Sequence, residues 1–142
     1  MPIRADRTQD IAITRRLPAS SRQAKQRAKI LAAQAETSLL HLDEDAVLYA
    51  TIANQSQTMM ARPAVVCTWN GKLVGKTVLT NGLKGLDQQT VAIHISAADL
   101  DKVLGEDAKM GAIRLELELI DEAQPLKTAC SASYVNITRA AW

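Results

Sequence analysis

Two histidines, two cysteines and the pair Glu116 and Glu118 are the side chains whose types and spacing bear first on chemistry. His41 and His94 lie far apart in the chain, and neither has a Cys-x-x-Cys or His-x-x-x-His neighbour of the kind that builds a zinc site. No metal and no cofactor are therefore expected. His41 beside Asp43 has the composition of an acid–base pair, but in a sequence of this local polarity it reads as part of a surface turn. Glu116 and Glu118 fall two residues apart on one strand face, about 7 Å from each other, a separation that paired carboxylates can use in hydrolysis. Their place in a regular amphipathic alternation makes them solvated side chains instead. Gly71-Lys72 and Gly75-Lys76-Thr77 contain pieces of a phosphate-binding loop. Such a loop must join a strand to a helix, and these lie inside a hairpin. No nucleophile elbow or dinucleotide fingerprint is present, so no catalytic residue is assigned and the chain is read as non-enzymatic.

The elements that hold these residues are mostly strands. Residues 64–80, AVVCTWNGKLVGKTVLT, form the clearest one: two alternating runs flank Asn70-Gly71, the dipeptide best suited to the positive φ angles of a type I′ turn. Residues 46–53 read as a strand, and 54–61 as a polar loop ending in Met59-Met60. Residues 88–96 read as a strand with Val91, Ile93 and Ile95 on one face. Ser96-Ala97-Ala98-Asp99 has capping-box spacing and opens a short helix that stops at Gly105. Ile113, Leu115, Leu117 and Leu119 alternate with Arg114, Glu116 and Glu118 in a strand with one wet face. Residues 126–138 read as a long final strand. The pattern indicates a mainly β protein, an antiparallel β-sandwich of the immunoglobulin-like or jelly-roll kind. With 47% hydrophobic residues, 3% aromatic and no Phe, its core must be aliphatic.

Before the sandwich the chain changes character. Residues 1–18 read as a basic extended arm, in which Ile11, Ile13 and Leu17 could lie along a neighbouring surface. Residues 19–42 read as an amphipathic helix and connector, capped at Ser20-Ser21-Arg22-Gln23 and running to about Thr37. The sandwich is assigned to 43–142. Residues 1–30 carry Arg4, Arg7, Arg15, Arg16, Arg22, Lys25, Arg27 and Lys29 against Asp6 and Asp10, a net charge of +6. Residues 31–142 hold nine basic and thirteen acidic residues, a net charge of −4. These eight cations are the candidate contacts to a partner, either a protein surface or the phosphates of a nucleic acid. No aromatic residue precedes Tyr49, so stacking on single-stranded bases has no platform in the arm.

Cys67 and Cys130 are expected to be reduced, because no apolar leader marks the N-terminus and no segment of 18 apolar residues spans a membrane. The corresponding location is a virion or the cytoplasm. The sequons at Asn54 and Asn136 carry no weight in that setting.

The runs Tyr-Ala-Thr-Ile-Ala-Asn from Tyr49, Trp-Asn-Gly-Lys-Leu-Val-Gly-Lys from Trp69 and Thr-Val-Ala-Ile-His-Ile from Thr90 resemble immunoglobulin-like adhesion and accessory modules in strand rhythm. That resemblance implies a fold and transfers no site. In architecture the chain also resembles virus coat proteins, which pair a basic arm with a sandwich. It is similar, too, to phage decoration proteins, which pair a capsid-binding helical segment with an immunoglobulin-like domain. These resemblances imply a structural subunit of a large assembly, a homo-oligomer or a virion component. A non-specific nucleic-acid-binding protein is the alternative.

Overall fold

The computed structural model describes residues 26–123, 128–129 and 132–141. Among the described residues nine strands form two sheets. A four-stranded sheet has the order β6-β3-β1-β8, and a five-stranded sheet the order β2-β9-β7-β4-β5. The strands are β1 (Gln26–Ala35), β2 (Leu39–His41), β3 (Ala46–Asn54), β4 (Pro63–Trp69), β5 (Lys72–Val78), β6 (Gln88–Ile95), β7 (Gly111–Asp121), β8 (Thr128–Ala129) and β9 (Ser133–Ala140), with a helix α1 (Ala97–Ala108) between β6 and β7. The long pairings are antiparallel, and the short strands β8 and β2 pair parallel to β1 and β9.

Alternation decides what faces inward. Leu48, Ile52, Ile93 and Ile95 of one sheet and Val65, Leu115, Leu117, Leu119 and Ile137 of the other are all buried. Each such side chain contributes on the order of 1.5–3 kcal/mol. Leu100 and Leu104 of α1 close the end where β6 finishes; Met60 and Leu83, paired through their backbones, close the other. The hairpin turn has φ 49° at Asn70 and 80° at Gly71, both positive as its sequence requires. Ser96 caps α1 by accepting from the Asp99 amide at 3.1 Å, and Gly105, at φ 73° and ψ −178°, interrupts the helix where a stop was expected.

Three expectations need correction. Over residues 26–35 the expected helix is the strand β1, so the sandwich begins well before residue 43. The segment is rich in helix formers, but propensity is a weak prior beside tertiary packing. A bulge at Leu31 shifts the pleat, so that Ala28 and Ile30, then Ala33 and Ala35, face inward while Leu31 is 44% exposed. The helical face expected through Ala28, Leu31 and Ala35 is therefore not the buried one. The remainder of the expected helix, residues 19–25, and the arm 1–18 lie outside the described residues. The expected final strand is two strands, β8 and β9, in different sheets. In β5 the bulge opposite Cys67 and Thr68 turns Leu73 outward and Val74 inward, whereas strict alternation would put Leu73 on the face of Gly75.

Candidate interaction surface

The polar side chains buried among the described residues brace the scaffold. Asn54 is 1% exposed. Its Nδ2 donates to the Thr58 and Leu83 carbonyls at 2.8 and 3.0 Å, and its Oδ1 accepts from the Ser56 amide and hydroxyl at 3.1 and 2.8 Å. Both faces of the first sequon's amide are thus engaged, whereas Asn136 of the second lies exposed on β9. Asp121 accepts from the amides of Arg62 and Ala123 at 3.1 and 3.0 Å. Arg139, also 1% exposed, points into the end of the core. It donates to the Leu42 carbonyl at 2.8 Å and the Lys109 carbonyl at 3.1 Å, and pairs with Asp101 at 2.9 Å; its Nε has no partner. The residue ties α1 to the turn between β2 and β3.

Each histidine sits beside an aspartate at the surface. His41 Nδ1 is 2.7 Å from Asp43, and His94 Nε2 is 3.1 Å from Asp45. Asp45 also accepts from the Ala97 amide at 2.9 Å, and that bond, followed by His94, holds its carboxyl below the ordinary carboxylate range. The pairing His94–Asp45 joins β6 to the turn before β3 and escapes sequence reasoning, because 49 residues separate its members. The β2–β3 turn carries Asp43, Glu44 and Asp45, α1 carries Asp99, Asp101, Glu106 and Asp107, and the bond from the Ala97 amide to Asp45 joins the two. Carboxylates therefore outnumber the cations Lys102, Lys109 and Arg139 at this end, where Lys109 pairs with Glu106 and Arg139 with Asp101. Among the described residues no group of three or more His, Cys, Asp or Glu could hold a metal ion. Cys67 is fully buried, and burial pushes its thiol up to about 12, so it is inert as a nucleophile. Cys130 lies outside the described residues.

The outer face of the five-stranded sheet differs from these braces. Cross-strand pairing lines up Tyr134, Glu116, Thr68 and Leu73 across β9, β7, β4 and β5. Tyr134 is 48% exposed and Leu73 59% exposed. The Arg114 guanidinium lies 3.9 Å from the centroid of the Tyr134 ring. Glu118, Val66 and Lys76 form the next row. Lys76 and Arg62 both reach Glu122, at 2.6 and 3.1 Å, and hold its carboxyl low, Lys76 more strongly. Exposed aromatic and aliphatic side chains with a stacked arginine, rimmed by charges, are the composition of a protein contact. Glu116 and Glu118 belong to this face, as the sequence indicated, with Glu116 half-buried and Glu118 exposed.

Of the eight candidate contact cations, Arg4, Arg7, Arg15, Arg16, Arg22 and Lys25 lie outside the described residues. Arg27 and Lys29 sit on β1, opposite Ala129 and Ala53. Lys29 is exposed, on a strand and not on a helix. The outer-sheet row was not assigned from sequence. The alternation in β7 and β9 signalled it, but the register joining Tyr134 to Leu73 did not.

No family model and no curated protein matches the chain. Solved structures do. The CARDB domain of the PF1109 protein from Pyrococcus furiosus, described in complex with di-metal ions, aligns with TM-score 0.53 and 9% identity over 82% of this chain and 90% of that one. A domain of a putative cell surface protein from Methanosarcina acetivorans aligns with TM-score 0.57 and 12% identity over 82% and 93%. A β-glucosidase from Erythrobacter marinus aligns with TM-score 0.55 and 12% identity, over 81% of this chain but 16% of the enzyme. The chain thus has a β-sandwich fold similar to that of CARDB domains. At these identities the likeness concerns the fold alone.

Proposed function

We propose that the chain is a non-enzymatic structural subunit that joins a larger protein assembly through the outer face of its five-stranded sheet and its basic N-terminal segment. The observation that carries the reading is the row Tyr134, Glu116, Thr68 and Leu73, with Arg114 stacked on Tyr134 and two large apolar groups about half exposed. Charge supports it as well. The +6 of residues 1–30 has a complementary surface in the acidic end formed by α1 and the β2–β3 turn, so a neighbouring copy offers the arm a binding partner. The occurrence of similar folds in a putative cell surface protein and within a much longer glucosidase fits a module that attaches and positions. A virion coat or decoration subunit is the finer form of this reading, and it rests on the arm-plus-sandwich architecture.

The alternative, phosphate binding by the same cations, is separated by experiment. The purified chain is passed over a sizing column at low and high salt while absorbance at 260 and 280 nm is followed. A particle larger than the 15.4 kDa chain, free of nucleic acid and resistant to salt, supports assembly. A species that carries nucleic acid at low salt and releases it at high salt supports phosphate binding.

A further inference from the structure

β5 and β6 end two different sheets, yet they run beside each other. No backbone ladder joins them among the described residues. The bridge is a side chain: Thr77 Oγ1 donates to the Ala92 carbonyl at 2.7 Å. Past that bridge the strands part around a cleft of about 430 Å³, with Val78, Leu79 and Thr80 on one wall and Gln89, Thr90 and Val91 on the other. The N–H and C=O of one strand residue point toward the same edge. Because the Ala92 carbonyl faces the cleft, Thr90, two residues earlier, also presents its backbone there. β6 has no Lys, Pro or bulge along its length, so it lacks the usual protection of an edge strand. Such an edge accepts an extended segment by strand addition.

We propose that this cleft is the docking site of the chain's own residues 11–14, Ile-Ala-Ile-Thr, which add to β6 as a short strand and close the seam between the sheets. Position favours this occupant. Ala28 lies opposite Asn54, and Ala53 lies opposite Gln88, so β1 and β6 begin at the same end of their sheet. They are two strands apart, about 10 Å. Residues 15–25 supply eleven residues of connecting chain, a reach of up to about 36 Å. Within residues 1–25, Ile11 and Ile13 are the two β-branched residues placed in alternation, the pattern of a strand with one buried face. The Thr90 backbone supplies the ladder for the added segment, between walls that include Leu79 and Val91. The inference is independent of the outer-sheet contact proposed above.

Amide hydrogen exchange on the full-length chain and on the double variant Ile11→Lys, Ile13→Lys tests it, with each sample also measured after dilution. The expected result is a Thr90 amide protected at least tenfold more in the unmodified chain than in the variant, at every protein concentration, with the Leu48 and Ile93 amides unchanged. Equal exchange of Thr90 in both proteins overturns the proposal. Protection that fades on dilution also overturns it, by assigning the segment to a second copy.

Discussion

The guanidinium of Arg114 on β7 lies over the ring of Tyr134 on β9, 3.9 Å from its centroid, on the outer face of the five-stranded sheet. Because the pair is exposed, its contribution to the fold is only about 0.5–1 kcal/mol. Replacing Tyr134 by Ala is therefore expected to lower the melting temperature by a few degrees at most. A loss of more than about 3 kcal/mol in a denaturant titration would show that Tyr134 serves the core and not a contact.

Arg139 behaves in the opposite way. Arg139→Met leaves the Leu42 and Lys109 carbonyls without their buried donor, and is expected to cost about 3 kcal/mol, or roughly 10 °C in thermal melting. Asp101, whose side chain is 51% exposed, is a lesser partner. Asp101→Asn is expected to cost about 0.5–1 kcal/mol. Equal losses for the two variants in parallel melts would contradict this ordering.

Acid should loosen the junction between the β2–β3 turn and α1. The Ala97 amide and His94 hold the Asp45 carboxyl below its ordinary value of 3.8. A carboxyl depressed by folding adds stability that is fully present above its unfolded pKa and disappears as pH falls through the folded one. Melting of the unmodified chain and of Asp45→Asn between pH 2 and 6 is expected to show a gap above about pH 4 that narrows below it. A gap that widens on acidification would reverse the assignment.

The Cys67 thiol, raised to about 12 by burial, should react with a thiol reagent only at the rate of unfolding. Peptide mapping after alkylation of the native chain at pH 8 is expected to find Cys67 unlabelled, with full labelling in denaturant. Rapid native labelling would place the sulfur at the surface.

Much of the sandwich was legible in the sequence because local rules and packing agree there. Asn70-Gly71 fixes a turn, Ser96 caps a helix, and Ile113 to Leu119 alternate without interruption. β1 was not legible. Its alanines and Leu31 satisfy a helical spacing, and the pairing with β3 that makes the segment a strand is set by residues distant in the chain. The contact surface was half legible. Alternation marks Arg114 and Glu116 as outward, but the alignment of Tyr134 with Leu73 depends on a four-strand register that distant segments set together. His94 and Asp45 met for the same reason.

The proposed assembly is tested most directly by light scattering on the size-exclusion peak of the unmodified chain and of the double variant Tyr134→Ala, Leu73→Ser, at matched concentration, with circular dichroism to verify the fold. The expected result is a particle of several subunits that the variant, still folded, reduces to the 15.4 kDa chain. An unmodified chain that is monomeric at all concentrations and salt levels, or a variant that assembles as well as its parent, would contradict the claim that this sheet face joins subunits.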